Sequence, residues 1–232
     1  MKLQKKCIVI TGAASGIGQQ IALQILKKNA IVVGVDLKLE ALEETKKLAG
    51  DKHENFFPYA LDISNRETVD NFYSEVMNKH FNVHGLINNA GIIQPFMDVK
   101  SLDFNTIERI MNVNFYGSLY LIKAFLPHLL EQKQAHIVNV ASMGAFIPFP
   151  GQTIYGSSKA AVKLLSEGLY AELKNTKVGV TLAMPGAIDT NIMENSQVQR
   201  SNKVNTNGNT KMLSACKAAE IIIKAVENDK FR

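Results

Sequence analysis

The feature that most constrains the fold is a regular alternation of short apolar runs with longer amphipathic ones. Helical patterns lie near 17–28, 39–49, 66–79, 104–130 and 154–174. Strands that alternate with helices pair in parallel and are covered on both faces, which predicts an α/β protein with a doubly wound parallel sheet. The predicted strands are Cys7–Ile10, Ile31–Val35, Phe56–Leu61, Val83–Ile87, Ile137–Val140 and Val178–Leu182.

A single domain over 1–232 is the simplest organisation, because the chain contains no internal repeat and no proline-rich linker. One stretch departs from the alternation: about 191–212 is polar and nearly free of large apolar residues. We expect a mobile substrate loop there, with a plain linker as the alternative. Helix should resume after Leu213-Ser214, where Ser214 can cap it.

The composition argues against several classes of partner. The net charge of +5 comes from lysines spread along the chain rather than from a basic run with aromatics, so nucleic acid is not expected. The two cysteines and five histidines are scattered, which predicts no metal site. No apolar run is long enough for a membrane span, and the apolar stretch after Lys6 is too short for a secretion signal. A cytoplasmic protein without a membrane partner is expected.

A glycine-rich turn follows the first predicted strand. Gly12, Gly16 and Gly18 stand between that strand and an amphipathic helix. Glycines permit a tight turn and let a ligand approach the backbone, while the start of a helix attracts negative charge. Strand, turn and helix together predict a site for the pyrophosphate of a dinucleotide in a Rossmann-like fold.

The second predicted strand ends at an acidic residue, Asp36. A carboxylate there can accept hydrogen bonds from the adenosine ribose and would repel a 2′-phosphate, which favours NAD(H). Lys38 lies two residues on and could reach a 2′-phosphate, so NADP(H) stays possible. We prefer Lys38 as a solvated lysine at the start of a helix.

Several motifs, taken in chain order, resemble the compact single-domain branch of the short-chain dehydrogenase/reductase family. The resemblance extends from Thr11 to about Phe231. Its motifs are Thr11–Gly18, Leu61-Asp62, Asn88-Asn89-Ala90-Gly91, Asn114, Ser142, Tyr155-Gly156-Ser157-Ser158-Lys159 and Pro185-Gly186. The family implies an NAD(P)-dependent oxidoreductase that acts on CH–OH or C=O groups.

The spacing of Tyr155 and Lys159 supports this chemistry independently. Residues four apart in a helix project from one face, so the lysine ammonium can favour the phenolate and lower a pKa that is ordinarily about 10. Tyr155 could then exchange the proton of the alcohol. Ser142, at the end of a predicted strand, could hold the substrate oxygen beside the phenol.

The resemblance assigns further roles. The predicted catalytic group is Asn114, Ser142, Tyr155 and Lys159, with Asn114 holding a water and Lys159 also binding the nicotinamide ribose. Asp62 and Ile63 would lie by the adenine, and the loop from Pro185 to Thr190 would clasp the carboxamide. The full predicted set of cofactor contacts is Gly12, Ser15, Gly16, Ile17, Gly18, Asp36, Leu37, Asp62, Ile63, Asn89, Ala90, Gly91, Tyr155, Lys159, Pro185, Gly186, Ile188 and Thr190.

Other classes of protein fit the sequence less well. Ser142 lacks the glycine pattern of a hydrolase nucleophile, and no histidine is an obvious base. Nucleotide-sugar epimerases carry a different glycine spacing and a larger C-terminal substrate region. A non-catalytic dinucleotide-binding sensor or scaffold would be expected to have lost one of the four catalytic positions, and this chain has lost none.

The substrate is predicted from the segments that flank the catalytic residues. Ile92, Ile93, Pro95 and Phe96 follow the Asn-Asn-Ala-Gly turn, and 146–150 precedes Tyr155. If they line the pocket, a small apolar alcohol or ketone is favoured; an NADPH-dependent 3-oxoacyl-thioester reductase is the alternative within the family, and ordinary loop packing is the alternative use of these residues.

The family also implies a homodimer or homotetramer, formed through the helices near 104–130 and 154–174. It usually adds a seventh strand after the last helix. This chain stops at Asp229–Arg232, where that strand would begin.

Overall fold

A parallel six-stranded sheet forms the centre of the molecule. The computed structural model describes residues 1–80, 82–198 and 212–232. The strand order is β3-β2-β1-β4-β5-β6 and every pairing is parallel, which confirms the predicted Rossmann-like doubly wound sheet. The strands are β1 (Cys7–Thr11), β2 (Ile31–Asp36), β3 (Phe56–Ala60), β4 (Val83–Asn88), β5 (Ala135–Val140) and β6 (Val178–Ala183).

Helices cover both faces of this sheet. Alternate side chains of β1 enter different layers of the core, Cys7 and Val9 in one and Ile8 and Ile10 in the other. The first layer is closed by α3, α5 and α6, and the second by α1, α2 and α8. The helices are α1 (Gly16–Leu26), α2 (Leu39–Leu48), α3 (Arg66–His80), α4 (Phe104–Met111), α5 (Gly117–Glu131), α6 (Thr153–Glu172), α7 (Ile192–Asn195) and α8 (Ala215–Glu227).

The single helix predicted over 104–130 is divided in the structure. A π-helical turn over Asn112–Tyr116 separates α4 from α5. Such turns carry an extra residue within the helical path and are frequent at functional sites. Here the turn contains Asn114, which is 1% exposed. The sequence periodicity did not reveal it, because α4 and α5 continue the same helical run on either side.

The polar segment of 191–212 contains short regular elements. Helix α7 lies within it, and β7 (Ile188–Asp189) pairs in parallel with β8 (Leu213–Ser214) at its borders. The part of the predicted mobile loop at 199–211 lies outside the described residues. The predicted cap is confirmed, since the Ser214 hydroxyl accepts a hydrogen bond from Lys217 N at 3.2 Å.

The residues after α8 run beside β6. Leu182 N donates to Phe231 O at 2.7 Å, and the ring of Phe231 stacks on Tyr170. The family's seventh strand was expected to begin at this position. Within the described ranges, the main sheet has six strands. None of the helices described is both long and apolar enough to span a bilayer.

Candidate active site

The candidate site is built where the ends of β1 and β4 meet. Thr11 Oγ1 accepts hydrogen bonds from Asn89 N and Ala90 N, both at 3.0 Å. The Asn89 side chain returns a bond from Nδ2 to Thr11 O at 3.0 Å. The strand order reverses between β1 and β4, and open α/β sheets bind their ligands at the carboxyl ends of such strands.

The turn after β1 requires glycine for two different reasons. Gly12 and Gly16 have φ angles of +67° and +55°, which side chains rarely adopt. Gly18 is instead required by packing, because a Cβ there would lie 2.1 Å from Gly12 O. The spacing recognised in the sequence therefore reflects two backbone angles and one close contact.

The start of α1 is suited to an anion. Its N-cap residue, Ser15, forms no side-chain capping bond, and the first turn contains no acidic residue. The positive end of the helix is thus not neutralised from within, which fits the pyrophosphate of a dinucleotide. Thr190 lies over this turn, with its methyl carbon 3.2 Å from the position a Gly16 Cβ would take, and Asn195 Nδ2 donates to Ser15 Oγ at 2.8 Å.

Asp36 is held in place beside the same turn. Its carboxylate accepts from Ala14 N at 3.2 Å through Oδ2 and from Leu37 N at 2.8 Å through Oδ1. The carboxylate therefore stands next to the phosphate-binding turn with a defined orientation. Lys38 follows as the exposed residue that precedes α2.

The remaining predicted cofactor residues lie in loops that leave β3, β4 and β6. Asp62 forms a turn with Ser64, whose N and Oγ donate to Asp62 Oδ1 at 2.9 and 2.7 Å. The Ile63 side chain is buried against Gly117 rather than open at the surface. Pro185 O accepts from Met143 N at 3.0 Å, which joins the loop after β6 to the segment that follows Ser142.

Tyr155 and Ser142 meet in one cleft. Both residues line this cleft, and Ser142 Oγ accepts from Gly144 N at 3.1 Å. Burial raises the pKa of Tyr155, while the neighbouring Ser142 hydroxyl acts in the opposite direction. The sequence predicts that Lys159 lowers this pKa, and the structure differs. Burial has the largest effect on the pKa of Tyr155, and Ser142 is the group that opposes the effect of burial.

Lys159 is a buried amine with one hydrogen-bond partner. It is 4% exposed, and its Nζ donates to Val140 O at 3.0 Å. Burial lowers its pKa to about 8. A Cβ at Gly91 would lie 2.9 Å from this Nζ and 3.2 Å from Asn114 Oδ1, so the backbone of the Asn-Asn-Ala-Gly motif passes close to both side chains.

Asn114 is tied into the same region by its amide. Its Oδ1 accepts from Ile92 N at 2.8 Å, and its Nδ2 donates to Ile92 O and to Ser158 Oγ, both at 2.9 Å. Ser158 Oγ in turn donates to Tyr155 O at 2.7 Å. The four residues predicted as catalytic are thus gathered at one edge of the sheet, on the π turn, the end of β5 and α6.

The cleft above Ser142 and Tyr155 has a volume of about 350 Å³. Four of the predicted apolar residues contribute to its walls: Ile93, Phe96, Ile147 and Phe149. The described residues that line it include no charged side chain. Among all the residues that the structure describes, no cluster of three or more histidine, cysteine or acidic residues could hold a metal ion.

Sequence reasoning missed three polar residues that shape the site. Ser158 was noted only as part of the motif around Tyr155, and neither Asn195 nor the fully buried Gln94 was singled out. Residue type offers no signal for them, because serine, asparagine and glutamine are common in exposed loops. Their hydrogen bonds become visible only when segments distant in sequence are brought together.

Comparison with known proteins identifies the family. The short chain dehydrogenase family model matches residues 6–201. The Mycobacterium tuberculosis protein SadH, provisionally named an oxidoreductase, is 37% identical over 195 residues, which cover 83% of this chain and 70% of SadH. The chain therefore belongs to the short chain dehydrogenase family and is an NAD(P)-dependent oxidoreductase.

Two solved structures share the fold across nearly the whole chain. A short-chain dehydrogenase/reductase from Burkholderia phymatum in complex with NAD is 27% identical, with a TM-score of 0.90, over 100% of this chain and 89% of that one. A 3-ketoacyl-(acyl-carrier-protein) reductase from Brucella melitensis complexed with NADH is 28% identical, with a TM-score of 0.87, over 97% and 91%.

The buried amine predicts an unusual dependence of stability on pH. Because burial lowers the folded-state pKa of Lys159 to about 8 from its ordinary value of 10.5, the unfolded state binds more protons between these values, and stability should rise with pH. We expect this contribution to gain about 2 kcal/mol between pH 8 and 10. Urea unfolding of the wild type and of Lys159→Met across this range isolates the contribution of the amine. The unfolding free energy of the wild type should rise by that amount relative to that of Lys159→Met. A difference independent of pH would contradict the prediction.

Proposed function

We propose that the protein transfers a hydride between a nicotinamide dinucleotide and the CH–OH or C=O group of a small apolar alcohol or ketone. The observation that carries this proposal is that Tyr155 and Ser142 line one cleft whose described walls carry no charge, with the buried Lys159 on the same helix as Tyr155. The cytoplasmic location expected from the sequence remains part of the proposal.

In the proposed mechanism, Tyr155 is the acid and base. Its raised pKa keeps the phenol protonated at neutral pH, and the protonated phenol is the form that donates to a carbonyl oxygen during reduction. The Ser142 hydroxyl donates a hydrogen bond to the same oxygen as negative charge develops on it. In the oxidative direction the phenolate accepts the alcohol proton, which is the reverse of this step.

The cofactor would occupy the edge formed by β1, β2 and β4. Gly12, Gly16 and the start of α1 would hold its pyrophosphate, Asp36 its adenosine ribose, and Lys159 its nicotinamide ribose. The nicotinamide ring, when bound, supplies or accepts the hydride. Asn114 would keep the chain near Lys159 in place, because its amide joins Ile92 to Ser158.

Replacement of the phenol tests the proposed acid and base. Tyr155→Phe removes the transferable proton but keeps the ring, so turnover of apolar ketones and of 3-oxoacyl thioesters should fall by at least about 10³-fold. The dissociation constant for the cofactor, measured by calorimetry, should stay within about twofold. Tyr170→Phe, on the exposed side of the same helix, is the matched control and should retain activity. A Tyr155→Phe enzyme with ordinary turnover would exclude this assignment.

We propose NAD(H) as the preferred cofactor. The orientation of the Asp36 carboxylate by Ala14 N and Leu37 N supports this preference, because a fixed negative charge disfavours a 2′-phosphate. The crystals of the Burkholderia phymatum and Brucella melitensis relatives hold NAD and NADH. Both relatives are more than a quarter identical to this chain, and the NAD(H) bound in them supports the same cofactor here.

Calorimetric titration with NADH and then NADPH in one buffer measures this preference. Wild type should bind NADH more tightly, and Asp36→Asn should reduce the ratio of the two affinities by about tenfold, since one pairwise repulsion of this kind is worth 1 to 2 kcal/mol. Glu40→Gln removes a nearby exposed charge at the start of α2 and should leave the ratio unchanged. Tighter NADPH binding by the wild type would contradict the proposed preference for NAD(H).

The 3-oxoacyl-thioester reductase remains the second candidate function. It is favoured by the similarity to the Brucella melitensis enzyme and by the exposed apolar side chains Phe146, Ile147 and Phe149 near the cleft, which an acyl chain could contact. The uncharged walls fit an acyl chain and a simple ketone equally. We therefore include both substrate classes in the turnover assay.

We also propose that the protein is a homodimer or a homotetramer. The outward sides of the α4–α5 run and of α6 carry large apolar residues that are well exposed: Phe104, Tyr116, Leu130, Leu164 and Tyr170. Large exposed apolar side chains on neighbouring helices are typical of protein interfaces. A two-fold axis would pair these helices with their copies.

A charge placed in this surface tests the assembly. Leu164 is 70% exposed in the single chain. An oligomer of Leu164→Glu would bury an unpaired carboxylate in the interface, which is costly. The sedimentation coefficient of this variant should therefore shift toward that of the monomer. Leu48, on α2, is 63% exposed, and Leu48→Glu should leave the assembly intact. If both variants and the wild type sediment as the same oligomer, the interface lies elsewhere.

A further inference from the structure

The helix that carries Tyr155 does not cap its own first turn. Helix α6 starts at Thr153, and the residue before it, Gln152, forms no side-chain capping bond. The first amides of a helix have no partner within it, and the first bond back to the N-cap comes from Gly156 N to Gln152 O at 2.9 Å. Ile154 N and Tyr155 N therefore need an acceptor from elsewhere.

That acceptor is the side chain of Gln94, from the loop after β4. Its Oε1 accepts from Ile154 N at 2.8 Å and from Tyr155 N at 3.1 Å. Its Nε2 donates to Gly151 O at 2.9 Å and to Met97 O at 3.4 Å. Two amide donors on one side and two carbonyls on the other determine the orientation of the amide.

The environment of Gln94 makes this bonding costly to lose. The residue is 0% exposed, so an unpaired amide at this position has no access to solvent. The bond is also reciprocated, because Gln152 Nε2 donates to Gln94 O at 2.8 Å. The cap thus joins two segments of the chain through both their side chains and their backbones.

The same loop forms a wall of the substrate cleft. Ile93 and Phe96, on either side of Gln94, line the cleft. Ile93 N is in turn bonded to Ser196 Oγ at 3.0 Å, next to α7. Any shift of this loop relative to α6 would move the cleft wall relative to the Tyr155 hydroxyl.

We propose that Gln94 is a positioning residue for Tyr155: by capping α6 from the loop after β4, it holds the phenol at a set distance from the cleft wall and from the bound substrate. This inference rests on the proposed role of Tyr155. Gln94 itself contacts no reacting atom and acts only through the backbone of Tyr155. Displacements of about 1 Å at a reacting group can cost about 10²-fold in rate, which sets the scale of the expected effect.

A neutral amide suits this position better than the acidic residues that often cap helices. A carboxylate would still accept from Ile154 N and Tyr155 N. It would, however, face the carbonyl oxygens of Gly151 and Met97 without a proton to donate. It would also add a negative charge close to Tyr155, which disfavours the phenolate.

Two substitutions at Gln94 separate positioning from charge. Gln94→Met keeps the length of the side chain without its hydrogen bonds, and should lower kcat by about 10- to 100-fold while the Kd for NADH stays within about twofold. Amide hydrogen exchange at Ile154 and Tyr155 should accelerate at least about tenfold, because both donors lose their acceptor. Gln94→Glu should keep those amides protected but move the basic limb of the pH profile for ketone reduction to higher pH.

Thr181→Val is the matched control for general destabilisation. Thr181 is also buried, and its hydroxyl bonds to His136 Nε2 at 2.8 Å and to Lys230 O at 2.6 Å, away from the cleft-lining residues. This variant should lower the melting temperature while kcat and the exchange of the two α6 amides stay as in wild type. If Thr181→Val lost as much kcat as Gln94→Met, the effect of Gln94 on turnover would be one of general stability alone.

The outcomes distinguish this inference from the proposed function. Wild-type kcat in Gln94→Met, or unchanged exchange at Ile154 and Tyr155, would overturn the positioning role and leave the proposed function standing. Failure of the wild type to turn over any ketone, alcohol or thioester would overturn the proposed function, while the exchange rates would still decide whether Gln94 holds the start of α6. If Gln94→Met did not fold, Gln94→Asn, whose amide is one methylene shorter and so withdraws from Ile154 N and Tyr155 N, would carry the test through the same measurements of kcat and amide exchange.

Discussion

The junction of β1 and β4 is the contact on which the rest of the site depends. The Thr11 hydroxyl accepts from two successive backbone amides of the loop after β4, and the Asn89 side chain bonds back to the end of β1. These bonds set the separation between the phosphate-binding turn and the loop that leads to the substrate cleft. Because the strands are parallel, every loop that leaves a carboxyl end lies at this one edge. A cofactor held by one loop and a substrate held by another can therefore meet only while this junction holds.

Burial, rather than contact between charges, controls the proton chemistry of the site. It lowers the pKa of Lys159 to about 8 and raises that of Tyr155, so both groups are shifted toward their neutral forms. At neutral pH the shift of Lys159 costs stability, because the unfolded state binds its proton more tightly, and the apolar layer against which α6 packs through residues such as Leu169 offsets this cost. Tyr155 is protonated in both states at neutral pH, so its shift carries no such cost there. Val140 O accepts a hydrogen bond from the amine, and Ser142 partly offsets the effect of burial on the phenol. The site is thus a region where the stability of the core supports an amine that would be more stable in water.

The loop after β4 connects several parts of the site through hydrogen bonds. Ile92 is bonded to Asn114 on the π turn, Ile93 to Ser196 beside α7, and Gln94 to the start of α6. Three consecutive residues thereby join the helix that carries Tyr155, the π turn and the segment that covers the predicted phosphate-binding turn. A loop with this many tertiary bonds is a rigid part of the scaffold, although its sequence is that of an ordinary connection.

Local patterns determine the parts of this protein that depend on local physics. Alternating apolar runs specify the strands, the spacing of Gly12, Gly16 and Gly18 specifies a turn, and a four-residue spacing places Tyr155 and Lys159 on one helical face. These patterns predict the sheet and this pair, while the family resemblance supplies the predicted role of Asn114. The tertiary structure decided the rest: the π turn at Asn114, the dominance of burial over the ammonium at Tyr155, and the cap supplied by Gln94. Each of these depends on segments distant in the chain meeting in a region without solvent, where hydrogen-bond partners and pKa values are set by neighbours that no local pattern contains.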